Sequence, residues 1–101
     1  MKSMSHDNRW YFVTNYALVL IQVWQKPDSS VKWIADSVGI TERAVHRILA
    51  ALVQEGYVER RRKGRRNFYS VDPDRRMRHP KMAHLEVGQL FKVLNLDSGR
   101  S

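Results

Sequence analysis

The sequence predicts a mainly α fold with one small β-hairpin, an α+β domain, and three observations predict it. Apolar residues recur at helical spacing in three separate stretches before Gly56 and again near the C-terminus. Gly39 and Gly56 each stand where a helical pattern stops. After Gly56 the period switches to strict alternation on either side of a polar tip that contains Gly64. A chain of 101 residues suits one domain around one core, and no internal repeat or low-complexity segment divides it.

Residues 1–9 are polar and are expected to fray, with the first helical segment assigned to residues 10–26. From Trp10 to Trp24 only Thr14, Asn15 and Gln22 interrupt the apolar character, and a helix apolar on nearly every side must be covered on nearly every side. Thr14 offers a capping hydroxyl and Pro27 a stop, so the regular helix is expected over about Asn15 to Gln25, with "WYFV" as an extended lead-in. The run "YALVLIQVW" is too short to span a membrane. It is followed by "QKPDSS" rather than a small-residue cleavage site, so no secretory leader is read and a cytoplasmic protein is expected.

Residues 30–55 read as two helices joined by a tight turn. "DSS" at Asp28–Ser30 supplies capping oxygens, and Val31, Ile34, Ala35 and Val38 recur at helical spacing up to Gly39. Thr41 caps the next helix, "TERAVHRILAALVQEG", whose Val45, Ile48, Leu49 and Leu52 share one face. Ala35 is small where the two helices approach most closely, and Ile34, Val38, Ile40, Val45 and Ile48 are expected to fill the inner face. Residues 57–71 then form a hairpin pinned by Val58, Tyr69 and Val71, with Gly64 at the tip. "DPDRRMRHP" reads as a loop. Val87, Leu90, Phe91 and Leu94 mark the stripe of a last helix placed at residues 81–95, before a tail at 97–101.

Helix, turn, helix and a two-stranded ribbon, in that order, is the winged helix-turn-helix arrangement. The formal net charge is +8, and between Glu59 and Arg66 six basic residues stand against one acid, so this hairpin alone supplies +5. Localised positive charge is what a polyanion footprint requires. Removing the inward residues of the third helix leaves Glu42, Arg43, His46 and Arg47 facing outward near its N-terminal end, the part that a recognition helix presents to base edges. On an isolated helix such a set would be read as a solvated face; between this turn and this hairpin it reads as a DNA-contacting one. Ser30, Thr41 and the amides of the two helix starts are candidates for phosphate oxygens. On the wing the candidates are Arg60, Arg62, Lys63, Arg65, Arg66 and Asn67, lying along the backbone or in the adjacent minor groove.

The chain has no cysteine, which removes disulfides and thiolate zinc sites. His79 and His84, five apart, do not share a helical face, and with Asp72, Asp74 and Glu86 they form no spaced ligand set, so no metal and no cofactor is expected. Neither a nucleophile–base set nor a glycine-rich phosphate loop is present, so an enzyme is not expected.

The sequence resembles the short prokaryotic winged-helix transcriptional regulators of the MarR/ArsR type. The resemblance runs from "FVTNYALVL" through "VGITERAVHRILAALVQEGYVERRRKGRRNFYSV" to "RHPKMAHLEVGQLFKVL", and its most specific pieces are "VGITERAV", "GRRNFYSV" and the closing "RHP…H…VG.L". It implies a double-stranded-DNA-binding regulator acting as a homodimer, with Thr41, Glu42, Arg43, His46, Arg47, Arg62, Lys63, Arg65 and Arg66 at the DNA. The cysteine pair of ArsR-type metal sensors and the long flanking helices of full MarR proteins are both missing, so metal sensing is not carried over. The resemblance leaves open a small-molecule effector of unknown identity.

The apolar first helix and the final stripe still need cover. That need points to a dimer interface of Trp10, Phe12, Tyr16, Leu90, Phe91 and Leu94, the competing reading being that these residues close a monomer core. Sequence-specific binding of duplex DNA by a transcriptional regulator is therefore the expected function. A nonspecific architectural DNA binder and a winged-helix protein-interaction module are the alternatives.

Overall fold

A computed structural model describes residues 12–98. Its elements follow in the order α1 (Asn15–Gln25), α2 (Val31–Val38), α3 (Glu42–Gln54), β1 (Val58–Lys63), β2 (Arg66–Val71) and α4 (Val87–Val93). Among the described residues, four helices and one antiparallel hairpin give the α+β class and the winged helix-turn-helix order.

α1 begins at Asn15 and not at Trp10, which lies outside the described residues along with Tyr11 and the polar stretch before it. The Thr14 hydroxyl accepts from the Ala17 amide at 3.3 Å, and the Thr14 carbonyl takes the Leu18 amide at 3.1 Å, which starts the helix there. Phe12 and Val13 precede it in a bend. Val19, Leu20 and Val23 of α1 are buried against Ile34 and Ala35 of α2 and Val45, Ile48, Leu49 and Leu52 of α3. The hairpin seals one side of this core with Val58, Tyr69 and Val71, and α4 seals another with Val87 and Phe91.

The last helix is shorter than the expected 81–95. Residues 80–84 turn back on themselves, with the Met82 amide on the His79 carbonyl at 2.8 Å and the Leu85 amide on the Met82 carbonyl at 2.9 Å. Arg76 and Glu86 then pair as an antiparallel bridge, flanked by bonds from Met77 to Leu85 and from Val87 to Arg75, both 2.9 Å. Backbone groups committed to that bridge cannot serve a helix, so α4 starts only after it. The Gln89 side chain accepts from the Glu86 amide at 2.8 Å, one half of a capping box. Asn95, with φ of 60°, follows the helix end in the left-handed region that asparagine tolerates.

Phe91 corrects an expectation of a different kind. Placed in a dimer interface by the sequence, it is only 2% exposed and its ring lies 5.0 Å from that of Trp24, within the monomer core. The Trp24 indole N–H donates to the Leu96 carbonyl at 3.2 Å, which fastens the segment after α4 onto α1. Leu90 is half-buried, while Phe12, Tyr16 and Leu94 are exposed.

Gly88 marks the tightest junction of α4 with the preceding loop. Its amide donates to the Pro73 carbonyl at 2.8 Å, and a Cβ at this position would stand 2.9 Å from both Pro73 Cβ and Pro73 O. Gly88→Ala gains about 1 kcal/mol of helix propensity but forces an overpacked contact costing about 1–3 kcal/mol, against backbone that cannot rotate away. The variant is expected to unfold at lower urea concentration than the parent. A midpoint equal to or above the parent's would mean that Pro73 gives way without cost.

Candidate nucleic-acid interface

Only Gly39, Ile40 and Thr41 separate α2 from α3. α2 starts at Ser30, whose hydroxyl accepts from the Trp33 amide at 3.1 Å, and it ends at Gly39, whose φ of 87° is left-handed. The amides of Gly39 and Ile40 both donate to the Ala35 carbonyl, at 2.8 and 3.1 Å. One residue later Thr41 caps α3, accepting from the Ala44 amide at 3.0 Å. The hydroxyl oxygens of Ser30 and Thr41 are thus engaged as caps, and toward a ligand each has its proton to donate.

With Val45, Ile48, Leu49 and Leu52 turned inward, α3 presents Glu42, Arg43, His46, Arg47 and Ala50 to solvent in one stripe. Arg43 and Arg47 are one turn apart and project side by side. Among the described residues, the side chains of Glu42, Arg43, His46 and Arg47 make no hydrogen bond or ion pair, so the stripe is unspent polar surface.

The wing is regular. Its register runs from Val58↔Val71 at the base through Arg60↔Tyr69 and Arg62↔Asn67 to Lys63↔Arg66. Gly64 and Arg65 form the two-residue connection, and Gly64 supplies the positive φ, 64°, that such a turn requires. Every residue from Glu59 to Asn67 is exposed. The structure separates the basic residues into two groups. Arg60, Lys63 and Arg65 have no partner among the described residues. Arg62 donates to the Gly64 carbonyl at 3.3 Å, Arg61 lies 3.6 Å from Glu59, and Arg66 donates to the Asp28 carbonyl at 2.7 Å. Phe68, whose role the sequence does not define, is half-buried with the Arg66 guanidinium 5.0 Å over its ring. Sequence reasoning treated Arg66 like its neighbours because a contact across 38 positions leaves no local signal.

Of the residues considered for a metal, His79 and Asp72 have a side-chain atom engaged in a local turn, while His84 is bonded through its backbone. His79 Nδ1 accepts from the Lys81 amide, Asp72 accepts from the Asp74 amide, and the His84 carbonyl accepts from Arg76. Among the described residues no group of three or more His, Cys, Asp or Glu could hold a metal ion, and no helix is long and apolar enough to cross a membrane. Between α1, the end of α3 and α4 lies an apolar groove of about 400 Å³, lined by Ala17, Leu20, Ile21, Leu90 and Leu94 among others and bordered by the Arg78–Glu55 pair at 3.3 Å.

A capped helix-turn-helix with a bare polar stripe on its second helix, followed by a basic two-stranded wing, defines the winged-helix class of DNA-binding transcriptional regulator. The sequence model of the MarR family matches residues 15–65, from the start of α1 to the tip of the wing, and the chain belongs to that family. Its members are transcriptional regulators and not enzymes. Among the solved structures similar to this chain is the zinc-dependent MarR family transcriptional regulator AdcR in its Zn(II)-bound state. The likeness has 19% identity and a TM-score of 0.47, covering 68% of this chain and 49% of that one. The chain therefore spans about half the length of that regulator. No curated protein matches the chain.

The Thr41 cap is the element on which the placement of the stripe rests. Thr41→Ala leaves an orphan amide at the start of α3 and is expected to lower unfolding free energy by about 0.5–2 kcal/mol in chemical denaturation, with Thr41→Ser restoring most of it. Equal loss in both variants would show that the threonine methyl, not the hydroxyl, matters.

Proposed function

We propose that this chain regulates transcription in the cytoplasm by binding duplex DNA sequence-specifically as a homodimer. In this reading α3 enters the major groove, and the wing follows the backbone or the adjacent minor groove. The observation that carries it is the unpartnered stripe Glu42, Arg43, His46 and Arg47 on the helix behind the Gly39 turn, with the exposed basic hairpin following it in the chain. Arg43 and Arg47 suit guanine edges or phosphate, Glu42 can accept from cytosine, and His46 can meet a base or the backbone. Ser30, Thr41 and the helix-start amides take phosphate oxygens, as do Arg60, Arg62, Lys63, Arg65 and Asn67, while Arg66 is already held by the protein.

The dimer reading rests on exposed apolar surface around the groove. Phe12 is 96% exposed, Tyr16 42%, Val93 80% and Leu94 46%, and of the apolar residues named for the interface Tyr16, Leu90 and Leu94 line the groove itself. Phe91 belongs to the core and takes no part. A second copy on this face would place two recognition helices about one helical turn of DNA apart, or a multiple of that, and the site would be an inverted repeat.

Selection of bound fragments from sheared genomic DNA at physiological salt is expected to enrich an inverted repeat. Retention without enrichment would indicate an architectural binder, and no retention a protein-docking module. On the enriched site, Arg43→Ala and Arg47→Ala are each expected to cost about 1–3 kcal/mol and to relax specificity at one position. In sedimentation the parent is expected to run as a dimer at micromolar concentration and Leu94→Lys as a monomer. A monomeric parent would remove the dimer from the proposal.

A further inference from the structure

We propose that Arg66 is a positioning residue that locks the wing to the helix-turn-helix, not a DNA phosphate ligand like the other basic residues of the wing. The proposal deepens the DNA-binding reading above and rests on it for its affinity measurements.

The wing needs an external tie. Among the described residues it is a two-stranded sheet with no third strand, and such a hairpin is barely stable alone. Its buried anchors, Val58, Tyr69 and Val71, all lie toward the base. Between Val58 and Lys63 the strand extends for about 17 Å at roughly 3.4 Å per residue, so a small change of angle at the base displaces the tip by ångströms. Among the described residues, the bond from Arg66 Nη2 to the Asp28 carbonyl is the one wing side-chain hydrogen bond that leaves the hairpin, since the Arg62 bond and the Arg61–Glu59 ion pair stay inside it.

The landing point is itself held. Asp28 precedes Ser29, whose amide and hydroxyl both bond the Lys26 carbonyl, at 3.0 and 2.8 Å. The buried Gln22 donates to Ser29 Oγ at 3.2 Å and accepts from Ser37 Oγ at 2.8 Å, linking α1, this loop and α2. One residue beyond Ser29 is Ser30, the cap of α2. The wing is thus gripped through Arg66 by the loop that also sets the start of the helix-turn-helix. Arg66 Cζ also lies over the Phe68 ring, 5.0 Å from its centroid. A guanidinium can offer its face to a ring and N–H donors at its edge at once, a combination that the compact, strongly hydrated lysine ammonium reproduces poorly.

The test compares Arg66→Ala, Arg66→Lys and Phe68→Leu with Arg65→Ala and Arg65→Lys. Affinity for a mixed-sequence duplex is measured against KCl concentration, and amide hydrogen exchange is measured in the free protein. Arg66→Ala, Arg66→Lys and Phe68→Leu are each expected to weaken binding roughly five- to tenfold with an unchanged log–log salt slope, and to speed exchange at residues 60–69. Arg65→Lys should keep parental affinity, and Arg65→Ala should flatten the slope by about 0.9. Parental affinity and exchange in Arg66→Lys, with a flattened slope in Arg66→Ala, would make Arg66 a phosphate ligand and overturn the proposal. If the parent does not bind duplex DNA, the functional reading fails separately. Exchange in the free protein then decides the tether: faster exchange in Arg66→Lys sustains it and unchanged exchange removes it.

Discussion

The amides of Gly39 and Ile40, the first two past α2, converge on the single carbonyl of Ala35, and they can do so because Gly39 holds a φ of 87° that costs a residue with a Cβ about 1–2 kcal/mol. That turn reverses the chain within two residues and delivers Thr41 as the cap of α3. Helix phase then follows without further choice. Once Val45 and Ile48 enter the core beside Ile34 and Ala35, the positions about 100–160° away from both must face solvent, and these are Arg43, His46 and Arg47. The placement of the candidate contact surface is therefore a consequence of one left-handed residue and one apolar face.

α1 is the hub against which this turn is held. Val19 and Val23 are essentially without solvent contact, and Trp24 binds the far end of the chain through Phe91 and Leu96. A domain of this size buries a modest share of its surface, so each fully buried aliphatic side chain, at about 1.5–3 kcal/mol, matters to a net stability of similar order. Gln22 is the polar exception in the hub. Its hydrogen bonds to Ser29 and Ser37 offset its desolvation and turn a polar intrusion into a brace between α1, the loop and α2.

The charge distribution follows a separate logic. Six basic residues on a hairpin repel one another, but every one of them is exposed, where water reduces each close pair to about 1 kcal/mol and salt reduces it further. The repulsion has a second effect. Both strands of the wing have an unpaired edge, and a row of like charges along them opposes pairing with the edge of another wing. A polyanion with matching spacing removes the repulsion that self-association would increase. On the opposite account, the groove beside α1 and α4 carries almost no charge, so the molecule keeps its apolar and basic surfaces apart.

Local chemistry was legible in the sequence. Hydroxyl residues at 14, 30 and 41, glycines at 39, 56 and 64 and two changes of apolar period determine where α1, α2, α3 and the hairpin begin and end, because capping, left-handed φ and periodicity act within a few residues. The outward stripe of α3 follows from the same phase. What the tertiary structure decided is everything that depends on partners far along the chain. The Arg76↔Glu86 bridge cuts the last helix to seven residues, Trp24 draws Phe91 out of a surface stripe into the core, and the Asp28 carbonyl accepts a hydrogen bond from Arg66. None of these has a local signature, since the energy of each comes from a group ten or more residues away or from surface removed from water only when the elements meet.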